Sequence, residues 1–296
     1  MIFTPNNVRY LPLMLSLTVV TSLYGQPDTT GVVSSDSNSK SSTSNVKHSL
    51  FASAGFGSNM IFLGSTISRD DPFLATGLVY SYRNSLFLSA SAAHIAAIEP
   101  FVAYYSASAD YKHTFNSWLD ISADISGFKA NQSLEQTLFN NFIFSNFTTG
   151  FDWKILYTRI SGGLLFSEST TGFIQFSNSR YFQTPSFFKG RSFVSFYPDI
   201  NLILGEIVTM KTITGTSTYG YSPPFRKFRR DIQPPLLAYS SRFGPVLLDV
   251  SLPITFAYRS LSLEADPCYI LPCFKSNVMQ APKGFTFYLT ASFRVF

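Results

Sequence analysis

The chain has 296 residues and a formal net charge of +5, and charged residues make up 13% of it, against about a quarter in typical soluble domains. Aromatic residues make up 17%, including 31 Phe and 16 Tyr, which is more ring surface than a soluble domain of this size readily buries. These proportions argue against an ordinary soluble protein. They favour a chain that exposes apolar side chains to lipid.

Residues 1–26 are typical of an export signal peptide. Arg9 supplies a positive charge, a short apolar run covers 11–20, and Gly25 is a small residue near the expected cleavage point. The run is too short and too interrupted to cross a bilayer as a helix. Residues 27–48 are rich in Ser, Thr, Asp and Asn and lack apolar periodicity, which predicts a disordered periplasmic linker.

After the signal peptide, the chain has no apolar stretch of the roughly 18 residues that a membrane helix needs. The remaining structure that satisfies every backbone polar group in lipid is a closed β-barrel. We therefore predict an all-β fold, a closed antiparallel transmembrane β-barrel, over residues 49–296.

Alternating hydrophobicity supports this prediction. Apolar residues occupy every second position in 119–125, 246–258 and 285–295, with mostly polar or small residues between them. This period of two places one face of each strand in lipid and the other in a polar lumen. Several runs reach the roughly 9–11 residues of a tilted membrane strand, whereas strands in soluble proteins average about 5–6.

We predict twelve strands, with ten or fourteen as alternatives. They cover 50–66, 72–83, 86–96, 101–113, 117–127, 141–149, 154–166, 171–182, 192–212, 235–243, 246–259 and 285–296. Tyr197-Pro198-Asp199 is an alternative turn within one of them, and Pro253 disturbs another because proline lacks a ladder donor.

With an even number of strands, the first strand begins and the last strand ends on the periplasmic side of the membrane. The short turns predicted on that side are 83–85, 114–116 and 244–245. The long loops predicted on the outer side are 128–140, 213–234 and 260–284. Short periplasmic turns and long outer loops are the usual arrangement in outer-membrane barrels.

The tail FTFYLTASFRVF, which ends at Phe296, resembles the C-terminal strand of Gram-negative outer-membrane β-barrel proteins. That family ends in an aromatic residue that the barrel-insertion machinery reads. The match is partial, because Arg294, Ser292 and Thr290 share the phase of Phe296 where the family has apolar residues. The resemblance implies insertion into a bacterial outer membrane, contact with its lipid and lipopolysaccharide, and the insertion machinery as a partner. It identifies no subfamily.

Charged residues of both signs fall on the polar faces of the predicted strands. The lumen candidates are Asp120, Asp124, Arg159, Arg242, Asp249 and Arg259. Mixed signs fit either an ion-pair network that fills the barrel or a narrow pore whose selectivity is set by charge. About eight strands leave a barrel filled by side chains and about sixteen leave a water channel, so twelve leaves both open. The leading prediction is a non-enzymatic barrel, either a narrow porin-like channel or a structural surface barrel.

The three histidines raise the alternative of a lipid hydrolase, because some outer-membrane barrels pair a His base with a nearby Ser nucleophile. Neither His94 nor His113 is followed by Ser two residues later, as in the phospholipase type, and His48 lies at the linker boundary. We therefore expect no enzymatic activity. No cluster of His, Cys and Asp has ligand spacing either, so we expect no metal or cofactor.

Cys268 and Cys273 are the two cysteines of the chain, and both fall in the predicted loop 260–284. Exported proteins occupy an oxidising compartment, which favours a disulfide between them, with two free thiols as the alternative.

A basic cluster formed by Arg226, Lys227, Arg229 and Arg230, with aromatic residues interleaved, falls in the predicted loop 213–234. Arg side chains match phosphate oxygens, so this loop is suited to lipopolysaccharide or another anionic ligand, with an ordinary solvated loop as the alternative. We expect no nucleic-acid binding.

Overall fold

The computed structural model describes residues 48–96, 98–136, 141–167, 170–188, 190–212, 218–221, 237–274 and 283–296. These residues form a closed antiparallel barrel of twelve strands, as the sequence predicts. In order around the ring the strands are β1 (His48–Gly57), β4 (Phe73–Tyr82), β5 (Leu86–Ile95), β6 (Tyr104–Thr114), β7 (Leu119–Ala130), β8 (Phe142–Asp152), β9 (Tyr157–Phe166), β10 (Thr170–Ser179), β13 (Asp199–Thr212), β15 (Leu237–Ser251), β17 (Leu261–Pro272) and β18 (Gly284–Arg294). The ring closes because β1 pairs with both β4 and β18.

The wall has an apolar outer face. Along β4, Leu74 and Leu78 are about half exposed on the outside, while Phe73 and Ala75, on either side of Leu74, are buried in the lumen. The same alternation places Ile125 of β7 and other large apolar side chains outside. The faces predicted for 119–126 and 285–293 are therefore confirmed. An exterior of this kind is stable in hydrocarbon and not in water.

His48, the first described residue, and Phe296 lie at the same end of the barrel, which we call the terminal end; the opposite end is the loop end. Two predicted tight turns lie at the terminal end. Arg83 and Asn84 adopt left-handed conformations between β4 and β5, as a two-residue hairpin turn requires. The Asn116 side chain accepts hydrogen bonds from the backbone of the two residues that open β7.

Three strands of the barrel wall, β10, β13 and β15, are interrupted near the terminal end. Three short strands continue β10, β13 and β15 toward that end, namely β11 (Phe182–Gln183), β12 (Ser192–Phe196) and β16 (Ile254–Tyr258). Pro198 and Pro253 lie in two of the breaks, and the Tyr197 backbone N–H donates to the Pro253 carbonyl at 3.1 Å. The predicted segments 192–212 and 246–259 are thus single paths through the wall, broken where proline lacks a donor.

Two predicted connections, the turn 244–245 and the loop 260–284, are wrong. Gly244 and Pro245 form no turn, because β15 runs through them with a register shift opposite Ile203 and Leu204. The predicted strands 235–243 and 246–259 are therefore parts of one wall strand. The predicted loop 260–284 contains β17, which pairs with β15, β16 and β18. These two errors cancel in the strand count.

The predicted strand 50–66 leaves the wall after Gly57. The chain instead forms a separate hairpin of β2 (Ile61–Phe62) and β3 (Ser65–Thr66), whose ladder joins only these two strands. At the loop end, β14 (Thr218–Tyr221) pairs with β13, and a short helix α1 (Gln132–Gln136) follows β7. Within the described ranges, no helix has the length and hydropathy needed to span a bilayer. The predicted signal peptide and nearly all of the predicted linker lie outside the described residues.

Candidate functional site

The lumen has two chemically different halves. Side chains that point inward near the loop end are apolar and buried; they are Ala93, Ile95, Tyr104, Phe128, Phe142, Phe144, Leu165, Phe173, Ile203, Ile207, Leu247 and Ile270. Inward side chains nearer the terminal end are mostly polar; they include Asn146, Thr148, Arg159, Ser161, Gln175, Ser177, Asp199, Asn201, Asp249, Thr290 and Ser292. On β8 the change takes place between Phe144 and Asn146, and on β10 between Phe173 and Gln175, whereas Val79 with Phe51 and Phe87 forms a small apolar cluster in the terminal half.

The β2–β3 hairpin fills the apolar half. It comes from the connection between β1 and β4 and folds inward, so that Phe62 is 2% exposed. The Phe62 ring lies 5.0 Å from the ring of Phe142, 5.4 Å from that of Phe144 and 5.9 Å from that of Phe128, measured between centroids. These distances are typical of favourable aromatic pairs. The hairpin is therefore packed against β7 and β8.

The same hairpin also reaches the wall formed by β13, β15 and β17. Ile61 belongs to a buried cluster with Val246 and Leu247 of β15, and Leu63 packs against it. At the tip, Gly64 adopts φ +81°, and a Cβ atom there would lie 2.3 Å from Val246 Cγ1. A glycine is thus needed both for the turn and for the close approach to the wall. The hairpin spans the lumen from one side to the other.

Polar side chains at the base of the hairpin bond to one another. Asn59 Oδ1 accepts hydrogen bonds from the Thr66 hydroxyl at 2.6 Å and the Ser68 hydroxyl at 2.9 Å. The Asn59 amide donates to Asp70, and the Met60 backbone N–H donates to Ser68. Because this network satisfies buried polar groups inside the hairpin itself, the hairpin is a preformed unit rather than a loose loop.

In the polar half, Arg159 forms the centre of one hydrogen-bonded group. It is 4% exposed, and its guanidinium donates to the Ser177 hydroxyl at 2.9 Å and lies 3.4 Å from a carboxylate oxygen of Asp199. Ser177 in turn donates to the other Asp199 oxygen at 2.7 Å. The charge of Asp199 is therefore paired and hydrogen-bonded, which is the condition for burying it.

Asn201 joins this group to a second carboxylate. Its amide nitrogen donates to Asp199 at 2.7 Å and to Asp249 at 3.3 Å, and its amide oxygen accepts from Gln175 at 3.1 Å. Asn201 and Asp249 are directly opposite each other on β13 and β15. Asp249 is fully buried.

A further group of carboxylates lies on β6 and β7. Asp120 accepts hydrogen bonds from the Tyr157 hydroxyl at 2.8 and 3.0 Å. Asp124 accepts one from the Asn146 amide at 3.1 Å and is directly opposite Asp110 in register.

Carboxylates outnumber cations in the polar half. Among the described residues, the inward-facing acids are Asp110, Asp120, Asp124, Asp152, Asp199, Asp249, Glu264 and Asp266. The described inward-facing bases are Lys112 and Arg159, with Arg294 at the terminal rim.

The structure distributes the predicted lumen residues unequally. Asp120, Asp124, Arg159 and Asp249 lie in the polar half. Arg242 is opposite the buried Ile207, and its side chain is exposed at the loop end.

The prediction for Arg259 is wrong. This residue occupies the turn after β16 with φ +53°, and its exposed side chain lies over the Tyr258 ring. The alternation of polar and apolar residues predicted a lumen position because it continues to Arg259, one residue beyond Tyr258, where β16 stops pairing with β17. Three residues that complete the polar network were missed: Asp199, Asn201 and Asp266. The signal for two of them was the polar–apolar alternation in 199–203.

The predicted disulfide is absent, since both cysteines are free thiols. Cys268 lies within β17 and is buried in the lumen beside Asp249, whereas Cys273 follows the strand and is exposed. Cys273 continues the ladder through a backbone hydrogen bond to Val246. Five positions along an extended chain span roughly 17 Å, well beyond the reach of a disulfide.

The histidines lie at strand ends with aromatic neighbours. His48 contacts the Tyr80 hydroxyl at 2.5 Å, and the His113 ring meets Phe115 edge-on. His94 donates from Nδ1 to the Phe101 carbonyl at 2.7 Å and stacks on the Phe101 ring. These are the surroundings of side chains at a membrane interface.

Two further predicted sites stay predictions. The basic cluster of 226–230 lies outside the described residues, so lipopolysaccharide binding there stays a prediction. At the chain end, the Leu50 backbone N–H donates to the Phe296 carbonyl at 3.2 Å. The Phe296 side chain is exposed, and its role as an insertion signal also stays a prediction.

Comparisons with known proteins give fold-level similarity only. No protein-family model matches the chain, and no curated protein matches it. Among solved structures, the KdgM porin is 8% identical with a TM-score of 0.44, and the match covers 82% of this chain and 98% of that one. LpxR from Salmonella typhimurium is 6% identical with a TM-score of 0.45, covering 83% and 99%. An outer membrane channel from Pseudomonas putida F1 is 8% identical with a TM-score of 0.44, covering 88% and 100%. Values of this size carry no information about activity.

Proposed function

We propose that this chain is a gated channel of the bacterial outer membrane, closed at its outer end by the β2–β3 hairpin. The observation that carries the proposal is the division of the lumen. One half is lined by polar side chains, as a path for hydrophilic solutes requires, and the other half is filled by an inward-folded hairpin.

The outer-membrane location is supported by the barrel itself. Its outer face is apolar, its ring is closed, and its first and last strands, β1 and β18, begin and end at the same end of the barrel, as in exported barrels with an even strand number. In that orientation the terminal end faces the periplasm. The hairpin then lies on the side of the external medium.

Two features support a movable gate rather than a fixed filling. The hairpin ladder joins only β2 and β3, so its departure would leave all twelve wall strands paired. Its polar base is bonded internally, so it can move as a unit without breaking that network. The cost of departure is mainly the exposure of apolar side chains such as Phe62.

Planar bilayer recordings test this function. We expect the unmodified protein to conduct rarely, and a variant in which residues 59–70 are replaced by a short Gly/Ser linker to show long-lived conductance steps. Heat-modifiable migration on gels verifies that the variant barrel is folded. A folded variant that gives no conductance would exclude the channel. Equal, high conductance from both proteins would exclude the gate.

A second candidate is a structural barrel with a permanently closed lumen. The apolar packing around Phe62 favours it, because such packing also stabilises a static interior. The linker replacement separates the two, since a structural barrel gains no defined conductance steps from it.

A further inference from the structure

We infer that exposed arginines at the terminal end of the barrel bind the phosphate groups of anionic phospholipids in the surrounding leaflet. The patch consists of Arg83 in the turn between β4 and β5, Arg259 in the turn between β16 and β17, and Arg191 beside Arg259. We call these three residues the terminal patch. The inference depends on the barrel lying in a membrane and is independent of the channel proposed above.

The first observation is the charge of the turns at the terminal end. The turns that connect wall strands there are 83–85, 115–118, 153–156, 184–191 and 259–260. By sequence, four of these five turns contain Lys or Arg, and none contains Asp or Glu. Lys154 is left out of the patch, because Asp152 directly precedes its turn and accepts a hydrogen bond from its backbone N–H. The charged side chains of these turns are therefore all cationic.

The second observation is the backbone conformation at two of the arginines. Arg83 has φ +52° and Arg259 has φ +53°. Glycine and asparagine adopt this left-handed conformation at lower cost than residues with long side chains do. The two turns themselves therefore do not require arginine. A contact made by the side chain outside the turn gives a physical reason for its presence.

The third observation is the direction of these two side chains. The Arg83 guanidinium carbon lies 5.2 Å from the centroid of the Tyr82 ring, and that of Arg259 lies 5.4 Å from the centroid of the Tyr258 ring. Each tyrosine lies four positions after an exposed apolar residue of the same strand, so each faces outward. Both guanidinium groups therefore lie on the lipid-facing side of the rim.

Arg191 adds a second exposed cation beside Arg259. The Arg259 backbone N–H donates to the Arg191 carbonyl at 3.1 Å, and both residues are exposed. Like charges on adjacent residues repel each other, and a bound anion offsets that repulsion. The guanidinium group presents its N–H donors in a planar fork that matches the oxygens of a phosphate. A phosphate is therefore the anion that suits this pair.

The apolar residues of the same turns indicate where the phosphate comes from. Trp118 is 52% exposed, Trp153 64% and Ile155 85%, all at the terminal end. Indole rings and large aliphatic side chains exposed in this way are typical of the boundary between lipid and water. The phosphates at that level are those of lipid headgroups. In the orientation given above this leaflet is periplasmic, so the ligand is phospholipid and not the lipopolysaccharide of the opposite leaflet.

Native mass spectrometry of the folded barrel, released from detergent, tests the inference by counting bound lipid molecules. The probes are phosphatidylglycerol, phosphatidylcholine with the same acyl chains, and lipopolysaccharide. We expect phosphatidylglycerol to bind about tenfold more tightly than phosphatidylcholine, as charge-assisted hydrogen bonds to an anionic headgroup predict. Equal binding of the two phospholipids would mean contact through acyl chains alone and would overturn the inference.

A double variant locates the patch. Arg83→Asn combined with Arg259→Asn removes two cations and gives each turn a residue that adopts positive φ readily, so the variant should fold like the unmodified protein. We expect it to bind phosphatidylglycerol about tenfold more weakly. Lys129→Gln combined with Arg242→Gln removes two exposed cations at the loop end and is the matched control, which should bind as the unmodified protein does.

Unchanged binding in the terminal double variant, or equal losses in both double variants, would refute the assignment. Arg191→Gln tests the same patch should the double variant fail to fold, and unchanged binding in it would count in the same way. Tighter binding of lipopolysaccharide than of phosphatidylglycerol, lost in the terminal variant, would show that phospholipid is the wrong ligand.

Discussion

Replacing Phe62 by Ala should weaken the closure of the barrel by the hairpin. The Phe62 ring is 2% exposed and packs within 6 Å, between centroids, of three aromatic rings. Truncating a buried Phe typically costs about 3–5 kcal/mol. Because the wall strands stay paired when the hairpin leaves, we assign this cost to hairpin docking. A loss of about 3 kcal/mol raises the ratio of open to closed states by about two orders of magnitude.

Single-channel recording measures this ratio as the fraction of time that the channel is open. Phe62→Leu keeps part of the apolar contact and should give an intermediate open fraction. Phe101→Ala is the control, because Phe101 is 67% exposed at the loop end and stacks on His94 outside the lumen. If Phe62→Ala changes the open fraction no more than Phe101→Ala does, the hairpin does not close the lumen.

Two further predictions follow from the same geometry. Gly64→Ala should also increase the open fraction, because the new Cβ would lie 2.3 Å from Val246 Cγ1. Gly190→Ala is the control: Gly190 also has a positive φ, but a Cβ atom there would meet no atom within 4 Å, so the open fraction should stay unchanged. In folded, unreduced protein a maleimide reagent should label Cys273 and reach the buried Cys268 only after unfolding, as counted by mass spectrometry. Failure to label either thiol of the unfolded protein without reductant would show that the two form a disulfide.

Some features of the polar half follow from strand alternation, and others depend on pairing. Alternation predicts that Asp120 and Asp124 share a face, because neighbouring side chains on a strand point to opposite sides. Alternation gives no information on which residues of two neighbouring strands lie opposite each other. The contact of Asn201 with Asp249 depends on the register between β13 and β15, which contains a shift opposite Ile203. A one-residue change in that register would send every later side chain to the other face.

The position of the hairpin also could not be predicted from local pattern. Residues 58–66 follow β1 and contain an apolar run at 60–63, so local pattern extends the strand through them. The structure turns them into the lumen because Phe62 and Ile61 find apolar partners on walls that are distant in sequence.

The sequence alone determined that this chain forms a closed membrane barrel with an apolar exterior and about twelve strands. That result needs only local information, since lipid demands complete backbone pairing and the period of two assigns each side chain to a face. Tertiary structure decided what fills the barrel. The position of the hairpin, the long β15, the wall strand β17 and the unpaired acceptor of Asp249 all arise from contacts between distant segments, whose free energies no single segment encodes.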